Sequence, residues 1–360
     1  MLKVPLSVKE LEIEAAGALK ALIANVPAIR LEDVEVEPKS FDPHIDIVAH
    51  INVSDHPHVL VCEVKSNGQP RHVRAALLQL RNYVVHFGKD ATPVLIAPYL
   101  SPEAQALCRE NNVGFLDLEG NARVSFRNVF IERLVSSKPP AVRRELKSLF
   151  KPKSAQVLRV MLRDPARVWR VADLAESAGV SLGHVSNVRT GLLDREWGKV
   201  SEKGLYLSEP NALLDAWRDA YEPPAGKRLS FYTTLHGSAL EKAARSVLHV
   251  SSENGKAVFS SLSAAYWQAP YVRTGTQYFY ADRDGLENLK IALKLTSASK
   301  GENVIVTLPR DEGLFHDVVE PAPGAFCTSL VQTYLDLSVA GERGREAADH
   351  LRQERLSWPT

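Results

Sequence analysis

The sequence predicts a multidomain α/β protein, and three observations carry that prediction. Helix-like and strand-like stretches follow one another in the order αβββαβ over the first hundred residues. Residues 154–208 read as three short helices and a β-hairpin. The final third mixes strands with helices and ends on a long amphipathic helix pair. The expected divisions are 1–136, a basic linker over 137–153, a helix-and-hairpin module over 154–224, and an α+β C-terminal domain over 225–360. A length of 360 residues fits two or three domains of ~150 residues each.

The first helix is expected over residues 7–26, with Ser7 as N-cap and Glu10 three positions on, and with Leu11, Ala15, Leu19 and Leu22 as its buried stripe. LEDVEVEP alternates as a first strand. IDIVAHINV and VLVCEVKSNG, separated by the polar break SDHPH, read as two adjacent strands. RHVRAALLQLRNYVVHF is the next helix, with Val73, Leu77, Leu80 and Val84 facing the core and Gln79 and Tyr83 on a neighbouring stripe. PVLIAPYL is a short apolar run of the kind buried on both faces of a sheet. Ser101-Pro102-Glu103 opens a helix, and GFLDLEGNARVSF is a hairpin turning at Gly120-Asn121. Asp117 and Glu119 at that turn are extra acids with two readings, an approach to a metal site on the neighbouring strands or, as acids beside a turn more often are, plain solvation, which is the one preferred.

Asp46, Glu63 and Lys65 stand out. Residues two apart on a strand share a face, so Glu63 and Lys65 point the same way from an otherwise apolar strand. A buried strand has no use for an ionised acid and a lysine unless they do something. One acid on a strand and acid-x-Lys on its neighbour supply two carboxylates for Mg²⁺ or Mn²⁺. They also place an ammonium to orient a water or steady phosphorane-like charge. Asp46, Glu63-Val64-Lys65 and the QLRNY helix with Gln79 and Tyr83 resemble the PD-(D/E)XK restriction-endonuclease-like superfamily, although Ile45 rather than Pro precedes Asp46. That resemblance implies a restriction-endonuclease-like fold for the αβββαβ domain. It also implies metal ligation by Asp46 and Glu63, catalytic assistance by Lys65, and support of the site by Gln79.

Charge separates the second module from the rest. The chain carries 44 Lys/Arg and 43 Asp/Glu, a net charge of +1. From Ser136 to Ser208 there are 14 Lys/Arg against 7 Asp/Glu, which leaves 30 against 36 elsewhere. A basic module inside an otherwise acidic chain points to nucleic acid. The helices SAQVLRVMLRD, VADLAESAGV and SLGHVSNVRTGLLD, followed by the hairpin WGKVSEKGLYLS, make up a winged helix-turn-helix. AGVSLGHVSNVRTGLLDREWGKV is similar to the winged-helix regulators, with Ser181 capping the recognition helix and Val180, Val185, Val188 and Leu192 turned inward. Ser181, His184, Asn187 and Arg189 are then expected to face base edges, with Arg195, Lys199 and Lys203 on phosphates of double-stranded DNA.

EPNALLDAWRDAYEPPAGKR closes the module with a helix and a Pro-Gly linker. In the final third His236, His249 and His316 lack ligand spacing, and no nucleophile, phosphate loop or triad is evident. SLSAAYWQAPYVR and VQTYLDLSVAGERGREAADHL resemble the type IV toxin–antitoxin antitoxin family, the abortive-infection antitoxins. The resemblance implies repression of the protein's own operon and antagonism of a nucleotidyltransferase-like toxin. A nuclease-like domain ahead of the winged helix departs from that pattern.

Cys62, Cys108 and Cys327 are odd in number and far apart, so reduced core thiols are expected. No apolar run reaches the ~18 residues of a membrane span, and no signal-peptide pattern opens the chain. A cytoplasmic protein with no membrane partner is expected. Two readings stand at this point. One is a transcriptional regulator whose nuclease-like domain is a scaffold, with a toxin or the toxin's nucleic-acid target as partner and a homodimer among the expected states. The other is an Mg²⁺- or Mn²⁺-dependent DNA endonuclease addressed by its winged helix.

Overall fold

A computed structural model of the chain describes residues 7–38, 45–135, 139–250, 255–271 and 274–358. The expected boundary at 136/137 lies outside them. The described chain forms two units. The first comprises residues 1–143 with 194–196, and the second 144–193 with 197–360.

In the first unit Ser7 and Glu10 cap α1 (Val8–Ala24) reciprocally, as their spacing predicts. Leu11, Ala15 and Leu19 are buried, while Leu22 is only half-buried and Ile23 takes its place. Then follow β1 (Ile29–Val36), β2 (Ile47–Val53), β3 (His56–Val64), α2 (Pro70–Val84), β4 (Ala91–Ala97), α3 (Pro102–Glu110), β5 (Gly114–Asp117), β6 (Ala122–Phe126) and β7 (Val129–Arg133). The αβββαβ order is therefore present. The seven strands lie in sequence order in one sheet, with β3–β4 and β4–β5 parallel and the other neighbours antiparallel. The polar break between β2 and β3 is shorter than SDHPH. Ser54 and Asp55 alone make the turn, both at positive φ, and His56 already pairs with Val53.

Helix α1 covers one face of the sheet, where Ala15, Leu19 and Ile23 meet Ile47, Ile51, Cys62 and Ile96. Helices α2 and α3 cover the other, where Val73, Leu80 and Leu107 meet Leu95 and Phe115. Tyr83, not Val84, is the buried residue at the end of α2, and it packs with Ile45, Val48 and Val61. Asp117 is not a solvated acid. It is 1 % exposed and accepts hydrogen bonds from Leu100 N, Glu119 N, Asn121 N and Asn121 Nδ2, at 2.9–3.2 Å. Its carboxylate builds the turn rather than any site.

In the second unit the basic stretch expected as a linker is partly helical. Pro140 opens α4 (Pro140–Leu149), and Val142, Leu146 and Leu149 recur at helical spacing, with Leu149 buried. Next come α5 (Pro152–Arg163), α6 (Val171–Ala178), α7 (Leu182–Asp194), β8 (Gly198–Ser201), β9 (Gly204–Leu207) and α8 (Pro210–Asp219). The order helix, helix, helix, hairpin is the one expected for a winged helix-turn-helix, and β8 and β9 pair antiparallel as its hairpin. The remainder is β10 (Gly226–Tyr232), α9 (Gly237–Arg245), β11 (Ala257–Phe259), α10 (Ser261–Gln268), β12 (Gln277–Ala281), α11 (Arg283–Ala292), β13 (Thr296–Ser297), β14 (Val304–Pro309), α12 (Leu330–Ser338) and α13 (Gly341–Arg355). Its sheet has the order β11-β12-β14-β10-β13, with β12 and β14 parallel.

A single apolar core joins the two stretches divided at 224/225 in the sequence reading. Leu158, Trp169, Val188 and Trp217 share it with Ala265, Tyr334, Leu337 and Leu351. A second core lies on the five-stranded sheet, around Phe259, Phe279 and Leu289. All three cysteines are buried and free.

Candidate functional site

Two places merit description, one in each unit. In the first, the antiparallel register of β2 on β3 sets the geometry. Ile47 pairs with Cys62, so Asp46, one residue before β2, stands opposite Glu63. Val64 N–H donates to Asp46 Oδ2 at 2.6 Å, which fixes that carboxylate against the end of β3. Lys65 Nζ donates to Glu63 Oε1 in an ion pair, with the Glu63 side chain 4 % exposed and that of Lys65 28 % exposed. Lys65 N–H donates to Ile96 O at 2.9 Å, so the lysine is anchored where the β3–β4 ladder ends. Asp46 and the Glu63–Lys65 pair thus stand at the same end of the β2–β3 ladder.

The electrostatics follow from burial. Burial raises the Asp46 carboxyl above the ordinary range, against the pull of the Val64 N–H and the Lys65 charge, and Glu37 adds to the rise. Glu12 on α1 is buried too, and its carboxyl is raised by burial and then by Asp46 and Glu37. This acid was not singled out from the sequence, though the signal was there. Glu12 falls on the stripe of Ala16, Leu19 and Ile23, where an apolar residue belongs. Its Oε2 accepts no hydrogen bond among the described residues. Gln79 Oε1 is likewise buried with no donor among them, so a bond from Lys65 to Gln79 is not formed. Among the described residues no group of three His, Cys, Asp or Glu side chains could hold a metal ion. The pair Asp46 and Glu63 offers carboxylate oxygens, which suit a hard divalent cation better than a soft one. The two donorless oxygens, Glu12 Oε2 and Gln79 Oε1, belong to helices on opposite faces of the sheet.

In the second unit α6 ends on Gly179, whose φ of +61° makes the turn into α7. Val185, Val188 and Leu192 of α7 are buried and Val180 packs half-buried against the same core, as their spacing predicts. The opposite face is polar. Ser181, His184 and Asn187 are exposed, and Ser181 Oγ lies 2.8 Å from His184 Nδ1. Arg189 is half-buried. It lies two residues, about 200° of helix, from Asn187, so these two cannot belong to one narrow patch. The most exposed face runs through Gly183, Ser186, Asn187 and Thr190, and the sequence reading missed Ser186 and Thr190.

On the β8–β9 hairpin Lys199 and Lys203 are exposed; Arg195, in the turn between α7 and β8, is half-buried. Gly204, at φ +143°, lets the wing approach Trp169 so closely that a Cβ would lie 2.2 Å from Trp169 O. Trp169 and Leu205 exchange hydrogen bonds of 2.7 and 2.9 Å across that contact. The Arg167 guanidinium stacks 3.7 Å from the centre of the Trp169 ring and is exposed beside the wing. It is a further basic residue the sequence reading did not single out.

Residues 206–357 match the profile of a family described as transcriptional regulators, the AbiEi antitoxins of type IV toxin–antitoxin systems. No curated protein matches the chain. Among solved structures, EndoMS in its apo form matches at 19 % identity and TM-score 0.22, over 29 % of this chain and 45 % of that one. A repair endonuclease from Pyrococcus abyssi matches at 21 % identity and TM-score 0.21, over 28 % and 46 %. An EndoMS complex with double-stranded DNA matches at 20 % identity and TM-score 0.22, over 31 % and 46 %. The chain thus spans less than half the length of these proteins. No described helix is long and apolar enough to cross a membrane.

Proposed function

We propose that this chain is a cytoplasmic, DNA-binding transcriptional regulator of the type IV antitoxin kind that carries a nuclease-like domain. One observation carries the reading. Helix α7 is pinned by Val185, Val188 and Leu192, turns a polar face outward, and is flanked by a wing bearing Lys199 and Lys203. The basic excess of residues 136–208 and the family match over 206–357 support it. Ser181, His184, Ser186, Asn187 and Thr190 are the candidates for base edges. Arg189, Arg195, Lys199, Lys203 and Arg167 are the candidates for phosphates. A toxin or the toxin's nucleic-acid target as partner, and a homodimer, belong to the same reading.

The test is a mobility shift of the full chain on duplex DNA from upstream of its own reading frame, at rising salt. The full chain is needed because the winged helix shares its core with α10, α12 and α13. Affinity should fall steeply and log-linearly with salt as counterions are released. No shift at low salt on any duplex would end the reading.

A second reading rests on the Glu63–Lys65 pair beside Asp46 at the end of β3: a metal-dependent DNA endonuclease. Asp46 and Glu63 would hold Mg²⁺ or Mn²⁺, which supplies Lewis-acid polarisation and an acidified water when bound. Lys65 pairs with Glu63 and brings a cation for a phosphate oxygen. Gln79 offers a buried acceptor to a water or to the Lys65 ammonium. The same gels, run with Mg²⁺ or Mn²⁺, read strand breakage. Glu63→Gln and Lys65→Ala should each abolish breakage and leave the band shift intact.

A further inference from the structure

The second unit holds a cavity of about 360 Å³ between α4, α5, the end of α8 and the chain that follows it. Its depth is set by an unusual residue. Arg159 lies on α5 in the run Val157-Leu158-Arg159-Val160 and is 4 % exposed. Its Nη1 donates to Gln332 Oε1 at 3.2 Å and its Nη2 to Gly313 O at 3.0 Å. Its Nε–H finds no acceptor among the described residues. A buried guanidinium N–H without an acceptor is costly, and a ligand can relieve that cost.

The rest of the cavity is built for a flat apolar body. Phe150 and Trp217 stack with ring centres 5.4 Å apart and planes 2° from parallel, and both line it, as do Pro223 and Pro224. Across the mouth Lys147 Nζ bonds to Glu222 Oε1 at 2.5 Å, so the two sides are tied together. A mostly apolar pocket of this size, with a few polar groups converging on it, Arg159 the most buried of its charged ones, is the usual form of a small-molecule site.

Charge narrows the ligand. Arg159 favours a carboxylate or phosphate, which a guanidinium binds in plane. Lys147, Lys151 and Arg310 line the cavity with Arg159, against the acids Glu222 and Asp311, so an anion meets a wall with more cations than acids. We propose that this cavity is a binding site for a small aromatic or alicyclic carboxylate, its carboxylate toward Arg159 and its ring against Phe150 and Trp217. The site is independent of the DNA reading and of the acidic site in the other unit.

Calorimetric titration of the full chain with 4-ethylbenzoate, and with the neutral 4-ethylbenzamide, tests it. The carboxylate should bind saturably at one site, and the amide at least about tenfold more weakly, since a charge-assisted bond is lost. Arg159→Gln should reduce carboxylate binding to the level of the amide. That variant can fail to fold, so Ala220→Trp provides a second arm. Ala220 lines the cavity at the half-buried end of α8, and an indole there should abolish binding while the melting temperature holds. Lack of saturable binding by 4-ethylbenzoate would overturn the proposal. So would equal affinity for the amide, or undiminished binding to Ala220→Trp.

Discussion

Replacing Asp336 by Asn should flatten the dependence of stability on pH, and the size of the effect follows from the surroundings of that carboxyl. Asp336 lies on α12, 7 % exposed. It accepts hydrogen bonds from Tyr280 Oη at 3.1 and 3.2 Å, from Gln332 Nε2 at 3.0 Å, and from Tyr221 Oη. Burial nonetheless dominates and raises its pKa from 3.8 to about 6, against those donors and against Arg159. The folded state therefore holds a proton that the unfolded state has lost between these two values, and stability rises as pH falls through the window. At ~1.36 kcal/mol per unit the full effect is about 3 kcal/mol. Of this, about 1 kcal/mol appears between about pH 7 and about pH 5, and the rest as pH approaches the unfolded value. Glu12 and Asp46, both raised, push in the same direction in the other unit. Thermal melting followed across this range should show the second unit's transition rising by several degrees as pH drops to about 5. In Asp336→Asn that rise should shrink, whatever the variant's absolute stability, since Asn cannot titrate. Parallel curves for parent and variant would refute the assignment of the slope to this residue.

Asn187→Ala should relax sequence preference by ~1–3 kcal/mol at one base position, whereas Lys203→Ala should weaken all duplexes alike and lower the salt slope by about one; selection-based site profiling at two salt concentrations separates them. Gly204→Ala forces a Cβ against Trp169 O at φ +143° and should lower both the melting temperature and DNA affinity, by at least ~1–2 kcal/mol in stability. Mg²⁺ or Mn²⁺ should raise the melting temperature of the parent but not of Glu63→Gln, measured by scanning fluorimetry without any DNA. The gain should grow as pH rises, because the raised Asp46 carboxyl must release its proton to bind an ion. A joint Glu63→Met and Lys65→Met replacement should leave the first unit as stable or more stable and remove the metal response.

What the sequence disclosed depended on how local the cause was. Ser7 with Glu10, Gly179 at the end of α6, and Val185, Val188 and Leu192 on α7 are decided within a few residues, and each stands where the pattern put it. The αβββαβ order was legible because each element has its own period, and the Asp46–Glu63 register because two alternating strands meet at a two-residue turn. Helix α4 was obscured by its charge. Val142, Leu146 and Leu149 make only a weak apolar stripe among Pro140, Arg143, Arg144 and Lys147, which reads equally well as a linker. Asp117 was misread because a turn acid looks alike whether it is solvated or caps four donors. Arg159 was invisible for a different reason. Its acceptor Gln332 is 173 residues away, and only the closed fold explains an arginine between two valines and a leucine.

The Glu63–Lys65 pair bears most directly on which of the two readings the first unit serves. Removing a buried ion pair in favour of apolar side chains is commonly neutral or stabilising, since desolvation offsets the attraction between the charges. Strand β3 is otherwise apolar from Val59 to Val64, and its neighbours on the sheet, Leu95 and Val61, would accept a methionine in place of either charge. A domain kept only as a scaffold would lose nothing by that exchange. Here the acid, the lysine and the opposing Asp46 are all present, and Asp46 is fixed by the Val64 N–H. Two further buried oxygens, on Glu12 and Gln79, have no donor among the described residues. On the nuclease reading these features cost stability that a bound cation or phosphate would restore. The double methionine replacement therefore distinguishes the readings: a stabilised protein with its DNA binding intact and its metal response gone places the chemistry in the acidic site and the address in the winged helix.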